Sequence, residues 1–253
     1  MASIVVLASV VAAGVWVATR QSSTVPQLQR AATELPATNG FLPSDPATQH
    51  ATNEAETAGP PESAPDLVNR GTELVNRGSI DEGIALYLRA MQMAPEDEEV
   101  HFNLGFAYAK KGRIAAAIHH YMEALRIFPE YVEAHNNLGN LLVGQRQYDL
   151  AVEHFTAALK IAPENPSALN NLGRALAEQG KVQEALVQFD EAVRVTPDYA
   201  EAHFNLASAH LSLGQYDEAI AQYREVLRLQ PGFPPALRGL ARAQEKKAGA
   251  TRQ

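Results

Sequence analysis

VEAHNNLGNLLVGQRQYDLAVEHFTAALKIAPEN, residues 132–165, is the stretch whose reading decides the fold. In it Ala134, Leu138, Leu141 and Leu142 recur at helical spacing, and after Gly144-Gln145-Arg146-Gln147 a second set does the same: Tyr148, Ala151, Val152, Phe155, Ala158, Leu159 and Ile161. Steps of three and four put one apolar stripe on each of two helices, so the stretch reads as helix, turn, helix. Pro163 ends the second helix, because proline has no N–H for the ladder and its ring clashes with the preceding turn. Asn165 before Pro166 then reads as an N-cap and the first residue of a further helix. One hairpin cannot bury both of its faces, so it needs a neighbour on each side.

Such neighbours are present in the chain. Pro95, Pro129, Pro163, Pro197 and Pro231 follow one another at a single constant step. With these prolines as position 32, the units are 64–97, 98–131, 132–165, 166–199 and 200–233. Position 8 holds Gly71, Gly105, Gly139, Gly173 and Ala207; position 20 holds Gly83, Ala117, Ala151, Ala185 and Ala219; position 27 holds Ala90, Ala124, Ala158, Ala192 and Val226. Position 24 is always a ring: Tyr87, Tyr121, Phe155, Phe189, Tyr223. Position 15 carries Gly78, Gly112, Gly180 and Gly214, where a helix stop favours glycine. A period of this length, with small residues where helices approach and rings beside them, resembles the tetratricopeptide repeat (TPR) family over about two thirds of the chain. The resemblance implies an all-α chain, a right-handed α-solenoid of five helical hairpins with a C-terminal capping helix, and a role in protein–protein interaction.

The two ends of the array differ from its middle. Ser63-Ala64-Pro65-Asp66 has the form of a capping box, and Arg70 replaces the leucine of position 7, as expected where a terminal repeat leaves one face unpaired. After Phe233, Leu237, Leu240 and Ala241 share a face opposite charges, which predicts a capping helix over 234–247 and a frayed tail over 248–253. Ahead of the array, Ala2 to Thr19 is free of charge, and Arg20 follows. As a helix these residues would reach ~27 Å, close to the ~30 Å of a bilayer's hydrocarbon layer. We expect 1–20 to be a single-pass membrane anchor, with Trp16 at the interface, or alternatively a cleaved signal segment that leaves a secreted or periplasmic protein. Arg20 and Arg30 are too few to fix the side of the membrane; the expected side is extracytoplasmic. Residues 21–63 hold six prolines and few large apolar groups, and are expected to be a disordered Pro/Ala/Thr-rich linker.

Composition excludes several classes of function. The chain carries a net charge of −8, with −5 on 64–253 and −3 on 1–63, and no basic stripe that would neutralise phosphates, so no nucleic-acid partner is expected. The absence of cysteine removes thiolate catalysis and cysteine-based zinc sites. No nucleophile elbow and no glycine-rich phosphate loop is present, so we expect no enzyme, no cofactor and no small-molecule substrate. His101, His135 and His203 share position 4 of three repeats, but stacked helices lie ~8–10 Å apart, too far for one metal ion to bridge them. We expect each imidazole to pack within its hairpin with its polar edge outward.

Asparagine is the more informative pattern. Position 6 holds Asn69, Asn103, Asn137, Asn171 and Asn205, although asparagine is a mediocre helix-interior residue. These positions are similar to the asparagine ladder in the repeat arm of O-GlcNAc transferases, and that resemblance implies that their carboxamides grip a peptide main chain. A carboxamide offers a donor and an acceptor, so it can satisfy a peptide C=O and N–H whatever the side chains. Phe102, Phe106, Asn136, Asn140, Asn170, Arg174 and Phe204 are expected around it, the phenylalanines to receive apolar side chains. The expected function is a membrane-tethered scaffold whose concave groove binds an extended peptide or partner segment. The alternative is an adaptor or substrate-presenting subunit of a separate glycosyltransferase or of a secretion or assembly machinery.

Overall fold

A computed structural model describes residues 62–251, and among them the chain is entirely helical. The eleven helices are α1 (Ala64–Asn76), α2 (Ile80–Met93), α3 (Glu98–Lys110), α4 (Ile114–Ile127), α5 (Val132–Gly144), α6 (Tyr148–Ile161), α7 (Pro166–Glu178), α8 (Val182–Val195), α9 (Ala200–Ser212), α10 (Tyr216–Leu229) and α11 (Pro234–Ala250). The first ten form five hairpins, one per repeat unit, and α11 closes the stack as the first helix of a sixth unit would. It extends to Ala250, past the end at 247 expected from sequence, and Lys247 in its last turns pairs with Asp217 on α10. The apolar run Ala2–Thr19 and almost all of the linker lie outside the described residues. No described helix is long and apolar enough to cross a membrane.

Local chemistry sets the helix ends. Ser63 and Asp66 form a reciprocal capping box at α1, and the Asn165 side chain accepts from the Ala168 N–H at 2.9 Å to start α7. Position 15 of each repeat turns through the left-handed region: Gly78, Gly112, Gly180 and Gly214 have φ between 73° and 92°. The third repeat places Arg146 there, at φ 60°, where a side chain is strained against the following carbonyl.

Packing follows the small-residue positions. Each ring at position 24 lies on the position-8 residue of its own hairpin; a Cβ added to Gly139 would stand 2.6 Å from Phe155 Cε1, so only the absence of a side chain admits the ring. Ala117, Ala151, Ala158 and Ala185 are fully buried, and the buried apolar residues gather in four clusters along the array, the longest running from Ala117 to Ala209. First helices also touch one another across the repeat boundaries, whereas second helices make no comparable contact among the described residues. The array therefore curves with α1, α3, α5, α7 and α9 on the inside. Along its edges, ions pair across the boundaries from equivalent places in successive units: Glu96 with Arg126 at 2.8 Å, Asp198 with Arg228 at 3.1 Å, and Asp81 with Lys111.

Candidate functional site

Positions 2, 5, 6, 9, 12 and 13 lie on the first helices, α1, α3, α5, α7 and α9, that line the inside of the array. Asn69 is exposed at the open end, and Asn103, Asn137 and Asn205 are half-buried along the groove. Asn171 is buried. Its amide donates to Asn136 Oδ1 at 2.9 Å and its oxygen accepts from Arg174 at 3.3 Å. The Asn205 amide likewise donates to Asn170 Oδ1 at 2.8 Å. The expectation that all five position-6 carboxamides face a ligand alike is thus corrected in part: two of them donate to an asparagine of the preceding repeat, and Asn137 reaches the Tyr121 hydroxyl there. Asn170, fully buried, is removed from direct contact with any ligand; its amide reaches Glu201 Oε1 at 3.3 Å and the Tyr199 hydroxyl at 3.5 Å.

The partners that the preceding repeat offers differ at positions 5 and 24. Position 6 of each repeat lies over the position-24 ring of the repeat before, as the Tyr223 ring beneath Gly239 shows, where an added Cβ would stand 2.4 Å from Cζ. Asn137 follows Tyr121 and bonds its hydroxyl; burial pushes the phenol's pKa up, and the bond from Asn137 opposes that shift. Asn171 and Asn205 follow Phe155 and Phe189, which offer no hydroxyl, and they turn instead to the asparagine at position 5. Where the ring is tyrosine in the other repeats, its hydroxyl is met by Thr72 at 2.9 Å or Ser208 at 3.2 Å.

Phe102 and Phe204 stand at the two ends of the groove, each half-buried in a cluster of rings. Phe102 stacks on Tyr131 with centroids 4.8 Å apart, and Phe204 meets Phe233 at 5.8 Å. Burial, then the charges of Glu99, Glu133, Glu98 and Asp97, push Tyr131 up to about 12, so it stays a neutral phenol. Phe106 carries Lys110 over its face at 4.9 Å, and Asn140 is exposed. Between the third and fifth repeats the groove deepens into a cavity of about 100 Å³, walled by Val143, Ala177 and Phe204 and edged by Arg174, Asn205 and Ser208. Its walls are mostly apolar, and its size suits one aliphatic side chain.

The histidines differ from expectation. His101 Nε2 lies 3.1 Å from the Pro95 carbonyl and Nδ1 lies 3.1 Å from His120 Nδ1; His135 repeats this with Pro129 at 3.0 Å and His154 at 3.0 Å. Their polar edges face inward because the turn carbonyl before each first helix lacks a helical partner and the imidazole supplies one. The partners at position 23, His120, His154 and Gln222, escaped the sequence reading; their signal is that a polar residue occupies position 23 whenever position 4 is histidine. No group of three histidine, aspartate or glutamate side chains suited to a metal ion occurs among the described residues.

Helical hairpins of one repeated length, stacked so that their first helices line a concave groove, define a helical repeat scaffold. Family models described as tetratricopeptide repeat match 136–192 and 200–233, and those described as TPR repeat match 71–112, 107–145 and 173–214. The chain belongs to the tetratricopeptide repeat family. Among solved structures it is similar to YrrB, a TPR protein with an unusual peptide-binding site, at 23% identity and TM-score 0.59 over 70% of this chain and 91% of that one. It is also similar to PilF of Pseudomonas aeruginosa, at 19% identity and TM-score 0.66 over 75% and 87%. MamA from Desulfovibrio magneticus RS-1, from its residue 41 onward, is similar at 22% identity and TM-score 0.61 over 68% and 97%. These likenesses are of fold. No curated protein matches the chain.

Proposed function

We propose that this chain is a non-catalytic scaffold that holds an extended peptide, or an extended segment of a partner protein, along its concave face. The observation that carries this reading is the continuity of the inner surface: Asn69, Asn103, Asn137 and Asn140 present carboxamides along the first three repeats, and the apolar cavity beside Phe204 follows them. The carboxamides serve the peptide backbone, and the cavity and the ring at Phe102 select side chains. YrrB, with its own peptide-binding site, supports the reading by analogy. Each net hydrogen bond is worth only ~0.5–1.5 kcal/mol, and ordering a peptide consumes part of the sum, so binding in the micromolar range is expected.

The charge-free run Ala2–Thr19 supports a tether to a membrane, with the linker after it as spacer. As a flexible coil that linker would span roughly 35–40 Å, enough to hold the groove clear of a bilayer. Fractionation of the full chain against a variant lacking 2–19 tests the tether, and recovery of both in the soluble fraction would remove it.

The groove itself is tested by titrating a library of extended peptides against the full chain and against Asn103→Ala, Asn137→Ala and Phe102→Ala. The asparagine variants should weaken all bound peptides several-fold, whereas Phe102→Ala should change which peptides are preferred. Unchanged affinities in the Asn103→Ala, Asn137→Ala double variant would move the site elsewhere.

A further inference from the structure

Three repeat boundaries carry the same clamp with different chemistry in its last member. The position-4 imidazole ties the proline carbonyl of the preceding turn to position 23 of its own hairpin: His101 to His120, His135 to His154, and His203 to Gln222, the last with contacts of 2.6 Å to Gln222 Oε1 and 2.8 Å to the Pro197 carbonyl. The third–fourth boundary has Leu169 at this place and no clamp.

Counting protons separates the three. With its Nε2–H donated to the Pro95 carbonyl, His101 presents a lone pair at Nδ1, which accepts the Nδ1–H of His120. The pair is satisfied when both rings are neutral. One proton can be taken up if His120 turns to its Nε2–H tautomer and accepts from His101 Nδ1, but protonating both rings sets two Nδ1–H groups against each other across 3.1 Å. The same holds for His135 and His154. His203 differs, because both of its ring nitrogens face oxygen acceptors; the imidazolium can donate to both.

We infer that these clamps make the array acid-sensitive in a polarised way: acidification releases the first–second and second–third boundaries and spares the fourth–fifth. The groups that reach His120 are His119 and Glu123 on α4 and His101 on α3, with Tyr108 of α3 stacked on its ring at 5.5 Å. His154 is reached by His135 alone, and the Glu225 carboxylate is the charge that senses His203. Burial, then neighbouring imidazoles, hold His120 and His154 at about 4, below the ordinary 6.5. A histidine held low binds fewer protons folded than unfolded, so its stabilisation is complete above about pH 6.5 and is lost as pH falls from there toward about 4. The half of the groove that holds Phe102 and Asn137 would loosen while the half at Phe204 stays closed.

The test uses the full chain, its His120→Gln, His154→Gln double variant and its Gln222→His variant, in thermal melts and local amide-exchange protection at about pH 7.5 and about pH 5. The unmodified chain should lose about 5–10 °C in Tm between the two conditions, with protection lost in α3 to α6 and kept in α9 and α10. The double variant, which copies the glutamine that the fifth repeat already uses, should lose less than half as much. Gln222→His should extend the acid-induced loss of protection to α9 and α10, and it decides the matter if the double variant does not fold. A full Tm drop in a folded double variant, acid-induced loss spread evenly over all five repeats, or a fifth repeat unaffected by Gln222→His would overturn the inference.

Discussion

Asn171 donates its amide to Asn136 Oδ1 at 2.9 Å across the boundary between the third and fourth repeats, and receives Arg174 on its own oxygen. A residue in phase with the expected asparagine ladder is here part of the scaffold. Arg174 in turn lies 3.7 Å from Glu201, whose carboxylate accepts from Asn170, so a chain of polar contacts joins three repeats along the groove floor.

Asn171→Ala should therefore act on stability before it acts on binding. Removing one partner leaves the half-buried Asn136 oxygen and the Arg174 guanidinium short of a contact, at a cost of about 1–3 kcal/mol. Asn103→Ala, which breaks no side-chain hydrogen bond among the described residues, should leave the melt nearly unchanged and lower peptide affinity several-fold. Paired denaturation curves and peptide titrations separate the two; equal stability losses would show that the two positions are equivalent.

Ala151 is fully buried on α6, at the position where Gly83 of the first repeat faces Gly71 and Val75 of its own hairpin. Ala151→Leu should overpack this contact and cost about 1–3 kcal/mol. A melt unaffected by the change would mean that this contact has room the packing does not show.

Arg146 stands at φ 60°, where four other repeats use glycine. Arg146→Gly should relieve left-handed strain of about 1–2 kcal/mol, partly offset by the greater freedom of glycine in the unfolded chain. A net gain of about 0.5–1 kcal/mol is expected in urea unfolding, and a loss would place an unseen role on the arginine side chain, which also contacts Tyr148.

The edge pairs Glu96–Arg126 and Asp198–Arg228 are well formed but exposed. Solvent and salt screen such charges, so Arg126→Ala or Arg228→Ala should move the melt very little, and less still at high salt. A large loss from either single change would show that these rungs act as one network along the array.

The repeat period, the helix ends within the repeats and the close approach at position 8 were legible in the sequence, because each follows from a local rule: apolar residues at helical steps, proline where the ladder must end, glycine or alanine where a ring needs space. Gly139 under Phe155 is such a case, predicted as a close approach and found as one. The roles of the polar residues were not legible in the same way. Asn137 and Asn171 are identical in phase and in chemical type, yet one meets a tyrosine hydroxyl and the other a neighbouring carboxamide. What separates them is what the preceding repeat offers, Tyr121 with Phe102 beside Asn137 and Phe155 with Asn136 beside Asn171. His101 and His120 lie on different helices, and their facing nitrogens exist only once α3 and α4 are packed. A hydrophobic stripe needs only its own helix to be recognised, since burial is non-directional. A hydrogen bond is directional and short, so its partner is fixed only when the hairpins stack and bring two side chains within about 3 Å.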